Sequence, residues 1–577
     1  MTNAQIADAL DLIADLLEFQ AANPFRVRAY RNSARTIRDY SESLASVVAM
    51  DKRKLTEIEG IGDDLALKIV TLVETGDVPM LAELKSQVPQ SVLALLRIPG
   101  VGPKKAAALH KQLGIVSLDQ LQAACEEHKV RDLKGFGEKT EQLILAGIGL
   151  AATASLRMLW AEADALAQSL REHFRDCPGV QQFEFGGSYR RGKETVGDLD
   201  ILIVAADETA AMDRLAGFEQ TSDVIARGDT KMSIRTHAGF QVDLRVVPQE
   251  SFGAALQYFT GSKEHNVIVR GRAKARGLKI NEWGVFKIDG EKETYVAGTT
   301  EADVYATLDL PVFPPELREA RKEFEWAEQG GMPDLITVED IRGDLHMHTH
   351  ATDGTASIAE MAAAAYARGL AYIAITDHSQ RVSMANGLTP ARALEQWQEI
   401  DRINKDQPPG FRILKGIECD ILEKGGMDLP DDVLAQADWV IASLHYGQKQ
   451  PRAQITERML GAIANPYVCQ IAHPTGRLLN RREAYEIDLD LVLAAAKEHG
   501  KLVELNANPM RLDLSDVNLI KAKQLGIPVV INTDAHSTDG LNVLRYGILQ
   551  ARRAGLTKAD IANTRTWPQM KKLVGKK

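Results

Sequence analysis

The sequence predicts a multidomain protein with an α-helical first part, a mixed α/β middle and a C-terminal α/β barrel. The chain has 577 residues, whereas one domain usually has about 100–200. A glycine-rich turn followed by a helical pattern occurs three times within residues 1–150. From residue 341 onward, short apolar strands alternate with helical patterns. Such alternation is typical of a barrel of parallel strands surrounded by helices.

The composition is that of an ordinary globular protein. Hydrophobic residues make up 45% of the chain and charged residues 26%, and no apolar run is long enough to cross a bilayer. The first twenty residues carry acids within an amphipathic pattern, which does not fit a secretory signal. The four cysteines lack CxxC spacing, so we expect neither a disulfide framework nor a cysteine-zinc site. A cytoplasmic protein with no membrane partner is expected.

Three stretches in the first part share an apolar residue, a GxG turn and a helical pattern. They are IEGIGDDLALKI from Ile58, IPGVGPKKAAAL from Ile98 and LKGFGEKTEQLI from Leu133. Glycine permits the tight turn and leaves the next helix's N–H groups free to hold a phosphate oxygen. One copy could be an ordinary loop, but three copies indicate helix-hairpin-helix motifs, which bind DNA without reading its sequence. The predicted DNA contacts are Gly60, Gly62, Gly100, Gly102, Lys104, Gly135 and Gly137.

The charge distribution agrees with a phosphate-backbone partner. The formal net charge of −10 excludes a uniformly basic nucleic-acid coat. Locally, however, residues 24–38 contain five arginines and no acid, and residues 263–279 contain six Lys or Arg against one Glu. Each run alone could be a solvated helix face, but two such runs favour DNA.

Paired carboxylates dominate the middle of the chain. DLDILIV reads as a strand, and alternate side chains on a strand face the same way, so Asp198 and Asp200 project together. An exposed acidic strand end is the alternative. Against that alternative, FQVDLRVV is an apolar strand with one interior acid, Asp243, and buried strands seldom carry an unpaired acid. Three carboxylates would suit two Mg²⁺ ions.

The motifs GGSYRRG, GDLDILI, VDLRVV and YFTGS together resemble the DNA polymerase X family, the polymerase beta-like nucleotidyltransferases. The GS and DxD elements alone would also fit other, template-independent nucleotidyltransferases. The resemblance implies an N-terminal lyase-like and fingers region over 1–150, an α/β nucleotidyltransferase palm over 151–249 and a thumb over 250–315. It also implies Mg²⁺ or Mn²⁺, deoxynucleoside triphosphates, and gapped or primed double-stranded DNA.

The same resemblance assigns roles to individual residues. Asp198, Asp200 and Asp243 are the catalytic metal ligands. The implied nucleotide contacts are Gly187, Ser188, Arg191, Gly197, Tyr258, Phe259, Gly261, Lys263 and Asn266. Asn266 and Arg270 match minor-groove contacts. Lys263 replaces an acid of the polymerase beta pattern, and we hypothesise that its cation strengthens nucleotide binding before template is present.

Lys68 matches a position where some relatives form a Schiff base that removes a sugar-phosphate. Asp64 stands where those relatives have a supporting lysine. An exposed helical lysine without a lyase role is therefore the alternative interpretation.

Metal-ligating side chains follow most strands of the last part. Residues 316–340 read as a linker, and beyond them come AYIAITDHS, FRILKGIECDI, WVIASLHYG, VCQIAHPTGR, KLVELNANP and PVVINTDAHS. The candidate ligands are His346, His348, Asp353, His378, Glu418, His445, His473, Asp534 and His536. Mixed imidazole and carboxylate ligands suit Zn²⁺, Mn²⁺ or Fe²⁺, and nine exceed the needs of one ion.

Residues 341–577 resemble the PHP (polymerase and histidinol phosphatase) domain, a metal-dependent phosphoesterase with a distorted (β/α)7 barrel. The resemblance implies three ions, Zn²⁺ and/or Mn²⁺. One takes His346, His348, Glu418 and Asp534, a second shares Glu418 with His445 and His473, and a third takes Asp353, His378 and His536. His350 has no place in this set and is read as a second-layer or substrate-side residue. Arg477 is either a phosphate contact or surface filler.

The combined patterns predict a monomeric repair polymerase of the base-excision type with a PHP-domain 3′–5′ exonuclease or other 3′-end-processing activity. Three alternatives for the PHP half stay open: an abasic-site endonuclease, a small-molecule phosphatase and an inactive structural module.

Overall fold

The computed structural model of the protein describes residues 3–20, 22–39, 44, 47–48, 52–58, 61–75, 78–87, 95, 101, 103–133, 135–142, 144–145 and 157–575. The chain divides into two compact units, Met1–Leu156 and Arg157–Lys577. Within the described ranges, no helix combines the length and apolar character that a membrane crossing requires.

The regular structure of the first unit, in its described residues, is helical, as predicted. Its longer helices are α1 (Asn3–Phe19), α2 (Pro24–Asp39), α3 (Asp63–Thr75), α4 (Pro79–Gln87), α5 (Pro103–Leu113) and α6 (Leu118–Glu126). Apolar residues recur on one face of each long helix, so that Ile6, Leu10 and Ile13 of α1 meet Tyr30 and Ile37 of α2 in a shared core.

The second unit begins with a five-stranded sheet. After β1 (Met158–Leu159) and α7 (Trp160–Phe174) come β2 (Val180–Phe185), the short α8 (Gly187–Arg190), β3 (Thr195–Val196), β4 (Asp198–Ala205), α9 (Glu208–Ala216), β5 (Thr221–Arg227), β6 (Lys231–Thr236) and β7 (Gln241–Val246). The strand order is β2-β4-β7-β6-β5, with only the central pair β4 and β7 parallel. Leu199, Ile201 and Ile203 of β4 are buried on one face.

A helical and β-hairpin region follows, as expected for the thumb. It comprises α10 (Phe252–Thr260), α11 (Lys263–Ala275), the antiparallel strands β8 (Leu278–Asn281), β9 (Gly284–Asp289) and β10 (Lys292–Ala297), and α12 (Glu301–Ala306). Ser262 caps α11 by accepting from the His265 N–H.

The predicted linker, residues 316–340, is tightly packed. It contains α13 (Glu323–Glu328), and Arg318 and Glu323 are fully buried. The Glu323 carboxylate lies 3.0 Å from His265 Nδ1 in the thumb. The segment is therefore part of the second unit's core, because a buried acid next to a buried imidazole fixes its path.

The C-terminal region is a seven-stranded parallel barrel, which confirms the predicted fold. Its strands are β11 (Gly343–Asp344), β12 (Tyr372–Ile375), β13 (Arg412–Asp420), β14 (Trp439–Ser443), β15 (Gln470–Ile471), β16 (Leu502–Asn506) and β17 (Val529–Asn532), hydrogen-bonded in sequence order. A parallel bridge between Met347 and Ala535 joins the first strand's end to the last strand's end.

Helices surround this barrel. They are α14 (Ile358–Ala367), α15 (Pro390–Ile403), α16 (Asp431–Leu434), α17 (Arg452–Ala464), α18 (Leu489–Glu498), α19 (Asp516–Gln524), α20 (Leu544–Arg553) and α21 (Trp567–Leu573). Strand residues alternate between two cores: Ile373 and Ile375 belong to the outer one, Ala374 to the inner one. Met570 of α21 is buried in the inner core, so the last helix fills the end of the barrel where the strands begin.

Candidate active sites

Three carboxylates meet on the two parallel strands at the centre of the first sheet. Asp200 of β4 is paired in register with Asp243 of β7, and Asp198 precedes Asp200 by two residues on the same face. Asp243 is buried. Its carboxylate accepts a short hydrogen bond from Ser233 Oγ and one of 3.1 Å from Gln241 Nε2. The strand pairing therefore brings together the acids that the sequence singled out.

Each of these acids destabilises the charged form of its neighbours. Burial, together with the neighbouring Asp198 and Asp243, raises the pKa of Asp200 to about 7. Burial and Asp243 also raise the pKa of Asp198. A divalent cation between the carboxylates would reverse both effects, because it stabilises the charged forms. The donor set, three hard oxygen ligands, fits Mg²⁺ or Mn²⁺.

The loop before β4, residues 186–192, is called the GS loop. Gly187 has a φ of +61°, and a Cβ at this position would lie 2.3 Å from Asp200 Oδ2. Only glycine therefore allows the loop backbone to approach the carboxylates so closely. The Ser188 side chain is half-buried. The Arg191 guanidinium contacts Glu319 Oε1 at 3.0 Å and donates to the Thr260 carbonyl at 2.5 Å.

Arg157 is a residue of this site that the sequence interpretation missed. Its guanidinium donates to Thr195 Oγ1 and to the Thr195 carbonyl, at 2.9 and 2.8 Å. A Cβ at Gly197 would lie 3.0 Å from Arg157 Nη1, and Arg157 and Asp198 interact electrostatically. Its position before the palm motifs carries no local signal that would have identified it.

The predicted thumb contacts occupy the junction of α10 and α11. The Tyr258 and Phe259 rings meet edge to face at 5.1 Å, and the Arg245 guanidinium lies 4.2 Å from the Phe259 ring centre. Asn266 is buried and donates to the Tyr258 carbonyl at 2.8 Å.

Three further predicted contacts lie on the same junction. Gly261, with a φ of +69°, ends α10. Lys263 and Arg270 are exposed on α11. The junction thus combines a buried asparagine with two exposed cations.

Only some of the predicted DNA contacts of the first unit lie within the described residues. Gly135 and Gly137 have φ values of +91° and +63°, in the region that favours glycine, and Gly62 is exposed directly before α3. Lys105 Nζ lies 5.7 Å from the Phe136 ring centre. Gly60, Gly100, Gly102 and the Lys104 side chain lie outside the described residues.

Lys68 differs from the exposed lysine considered above. Its side chain is only 16% exposed and makes a short ion pair with Asp64 one turn earlier on α3. Its Nζ also lies 5.9 Å from the Tyr30 ring centre. The lysine is half-buried because its apolar stem packs on the helix surface while the ammonium group meets the acid.

The nine candidate ligands of the barrel converge where the strands end. Glu418, at the end of β13, lies at the centre. Its Oε2 lies 3.4 Å from His346 Nε2, 3.5 Å from His348 Nε2 and 2.9 Å from His378 Nδ1. Its Oε1 lies 3.5 Å from His445 Nε2 and 3.1 Å from His473 Nε2. One carboxylate thus faces five imidazoles.

The remaining two acids complete the cluster. Asp534 Oδ1 lies 3.4 Å from His346 Nε2 and 3.2 Å from His348 Nε2. Asp353 Oδ2 lies 3.4 Å from both His378 Nε2 and His536 Nε2.

Within the described residues, three groups could each hold a metal ion: His346, His348 and Asp534; His348, Asp353, His378 and His536; and His378, Glu418 and His445. His378 therefore lies beside Glu418 as well as beside Asp353 and His536, because β12 and β13 are neighbours.

The cluster fits metal ions. Buried atoms without a hydrogen-bond partner include His346 Nε2 and both ring nitrogens of His348. Buried polar atoms are nearly always paired, and these point into one cluster. Burial would raise the pKa of Glu418, but the imidazoles of His378, His346 and His445 hold it well below its usual range.

Glu504 is a second residue that the sequence interpretation missed. It is fully buried in β16, and its Oε1 lies 2.8 Å from His346 Nδ1, on the opposite side of the ring from the cluster. Asp420 similarly lies 3.1 Å from His445 Nδ1. Such carboxylates orient ligating imidazoles. The signal was present, since each is an acid inside an apolar strand, as Asp243 is.

One earlier interpretation changes. Arg477 is neither a phosphate contact nor surface filler, because its guanidinium is largely buried and paired with Glu194 of the palm at 2.7 Å. It also donates to the Arg511 carbonyl at 3.0 Å. Arg511 is the arginine beside the cluster, with Nε 3.5 Å from Asp534 Oδ2. His350 is exposed and belongs to none of the three ligand groups.

Family models match the chain along most of its length. They are a helix-hairpin-helix domain over residues 1–78, a SAM-like helix-hairpin-helix tandem over 92–149, the DNA polymerase beta palm over 157–244, the DNA polymerase beta thumb over 255–319 and the PHP domain over 344–508. The fold and the two sites thus define a polymerase beta-type nucleotidyltransferase joined to a PHP-type phosphoesterase.

Similar individual proteins identify the family within this class. The DNA polymerase/3′-5′ exonuclease PolX of Bacillus subtilis (strain 168) is 40% identical over 569 residues, 98% of each chain. The chain belongs to this PolX family. DNA polymerase lambda of Rattus norvegicus is 27% identical over 55% of this chain and 56% of its own. A probable phosphatase of Thermoanaerobacter sp. (strain X514) is 34% identical over 38% of this chain and 89% of its own.

Proposed function

We propose that this protein is a DNA-directed DNA polymerase that fills short gaps during base-excision-type repair and carries a 3′–5′ exonuclease in its PHP domain. The observation that carries the polymerase half is the in-register pair Asp200 and Asp243, with Asp198 alongside and the GS loop against them. The Bacillus subtilis relative is named for both activities, and this supports the proposal.

In the polymerase site, Asp198, Asp200 and Asp243 would hold two ions, Mg²⁺ or Mn²⁺. When bound, such ions neutralise triphosphate charge and lower the pKa of the attacking hydroxyl. Ser233 and Gln241 fix the orientation of Asp243 through their hydrogen bonds. The N–H groups and hydroxyl of the GS loop would bind the triphosphate, and Tyr258 and Phe259 would pack on its sugar.

In the PHP site, the nine clustered side chains would hold three ions, Zn²⁺ and/or Mn²⁺. Such a centre lowers the pKa of bound water and neutralises phosphate charge. Glu504 and Asp420 orient two of the imidazoles. Arg511, partly exposed beside Asp534, would bind a substrate phosphate.

The proposed domain boundaries are 1–150, 151–249, 250–315, 316–340 and 341–577. The GxG turns would contact the backbone of gapped or primed DNA and Arg270 its minor groove, and the working state would be a monomer. Lys68 is the lyase candidate, and borohydride trapping on an incised abasic substrate tests it. A Lys68-dependent adduct supports the role, and its absence removes the role.

One experiment separates the two activities. End-labelled gapped, abasic and 3′-phosphate DNA is incubated with Mg²⁺ or Mn²⁺ and wild type, Asp200→Ala or His346→Ala. Asp200→Ala should abolish extension and retain DNA binding and nuclease activity. His346→Ala should abolish nuclease activity and leave extension largely intact. Full extension by Asp200→Ala would refute the polymerase assignment. Cleavage confined to abasic sites, or turnover of histidinol phosphate equal to that of DNA ends, would replace the exonuclease with one of its alternatives.

A further inference from the structure

We propose that α20 of the PHP domain holds the GS loop of the polymerase site in position, so that Gln550 and Arg553 are positioning residues for nucleotide binding. The inference rests on the proposed polymerase function. It assigns a role in polymerisation to a helix that contributes none of the nine candidate metal ligands.

Two buried side chains of α20 donate to the backbone of the GS loop. Gln550 Nε2 donates to the Gly192 carbonyl at 2.8 Å, and Arg553 Nη1 donates to the Arg191 carbonyl at 2.6 Å. Gln550 is 1% exposed and Arg553 is 3% exposed. The Gly192 carbonyl is buried, so no water replaces its donor if Gln550 is lost, and the part-buried bond to the Arg191 carbonyl adds a second constraint on the loop.

The helix also reaches the side chain of Arg191. Glu319 Oε1 lies 3.0 Å from both Arg191 Nε and Arg553 Nη1, and thus joins the two guanidinium groups. On its other side, Arg553 pairs with Asp516 at 2.8 Å. Arg553 is thereby fixed between two carboxylates, and the one it shares with Arg191 ties α20 to the Arg191 side chain of the GS loop.

A steric contact adds to these polar ones. Gly192 has a φ of +66°, and a Cβ there would lie 2.5 Å from Leu549 Cγ. The loop therefore approaches α20 more closely than any residue with a side chain would allow.

The start of α20 supports the other side of the loop. Arg545 pairs with Asp164 at 2.9 Å, and Asp164 accepts a hydrogen bond of 2.7 Å from the Tyr189 hydroxyl. The helix therefore reaches the GS loop from both of its ends, at Tyr189 and at Arg191–Gly192. Since Gly187 of the same loop lies against Asp200, a shift of the loop would displace the triphosphate relative to the carboxylates.

The test uses the full-length chain with Gln550→Met, which removes one donor and keeps the side-chain volume, and Arg553→Lys, which keeps the charge but loses the planar donor array. Arg552→Lys is the matched control. It lies on the same helix and makes the same type of ion pair, but its partner is Glu316, at 2.8 Å. KM and kcat for the nucleotide in single-nucleotide gap filling, nuclease rate and thermal midpoint are measured on each preparation.

We expect the nucleotide KM to rise about fivefold to tenfold for Gln550→Met and for Arg553→Lys. The reason is that displacing a binding group by about 1 Å can lower the reaction rate up to about 100-fold. The control should change KM less than about twofold, and nuclease rate should be unchanged throughout. A wild-type KM in folded Gln550→Met protein would overturn the proposal, as would parallel loss of extension, nuclease activity and thermal midpoint. Wild type that fails to extend any primer refutes the proposed function instead.

Discussion

Replacing Glu504 by glutamine should selectively impair the PHP site. The Glu504 carboxylate is surrounded by donors only. On Oε1 it meets His346 Nδ1, Gln470 Nε2 at 3.0 Å and Asn532 Nδ2 at 2.9 Å, and on Oε2 it accepts from the His473 N–H at 2.7 Å. In Glu504→Gln, one oxygen becomes an NH₂ group that faces other donors, and the charge opposite His346 is lost.

The structure sets the size of the effect. A hydrogen bond to a charged group contributes about 1.5–3 kcal/mol, and loss of the partner that orients a ligating imidazole typically costs about 10–100-fold in metal affinity or activity. We therefore expect Mn²⁺-supported nuclease activity to fall about 10–100-fold at limiting metal. Excess metal should restore part of it, because the nine candidate ligands remain.

The assay is nuclease rate against Mn²⁺ concentration, with primer extension measured on the same preparation. Asp560→Asn is the control. Asp560 is also a hydrogen-bonded acid of the barrel, but it accepts from Thr557 near the strand starts, whereas the candidate ligands lie at the strand ends. Unchanged nuclease activity and half-saturating Mn²⁺ in Glu504→Gln would refute the reasoning. So would an equal fall in extension, which would indicate general destabilisation.

Three further outcomes are expected. Asp243→Ala should abolish gap filling and retain nuclease activity and DNA binding, and measurable extension would contradict the role of the in-register pair. Lys263→Ala should weaken binding of a nucleotide in the absence of DNA, measured by calorimetry; an affinity equal to that of wild type would remove the hypothesis for that lysine. Burial would raise the pKa of Glu301, but hydrogen bonds from Arg190 and Arg318 lower it from 4.5 to about 2. The contribution of the Glu301 carboxylate to folding stability is therefore full above pH 4.5 and is lost as the pH falls toward 2. The loss in unfolding free energy for Glu301→Gln, at most about 3 kcal/mol, should therefore be smaller at pH 3.5 than at pH 7 in urea titrations, and a pH-independent difference would contradict this sign.

The parts of the fold and sites that the sequence could predict are those that local periodicity determines. Asp198 and Asp200 share a face because a strand alternates, and histidines at successive strand ends converge because parallel barrel strands end on the same side. The sequence could also have revealed Glu504 and Asp420, which are interior acids of apolar strands like Asp243. The three ligand groups are linked by two shared histidines, His348 and His378, because the strands that carry them are neighbours in the barrel.

Contacts between distant segments could not be predicted in this way. Arg477 and Glu194 are 283 residues apart, and no pattern around either residue identifies the partner. An arginine after a histidine-proline pair reads equally as a phosphate contact or a surface residue. Only the packing of the barrel against the palm shows that its charge is matched by an acid of the other domain.

The order of the barrel strands has a consequence for protein synthesis. The cluster needs His346 and His348 from the first strand and Asp534 and His536 from the last, and the bridge between Met347 and Ala535 joins these ends. A nascent chain on the ribosome that has already exposed residues 157–319 therefore contains the three candidate polymerase carboxylates while the candidate PHP metal centre is still incomplete. A chain terminated before residue 534 would likewise contain an incomplete set of candidate ligands.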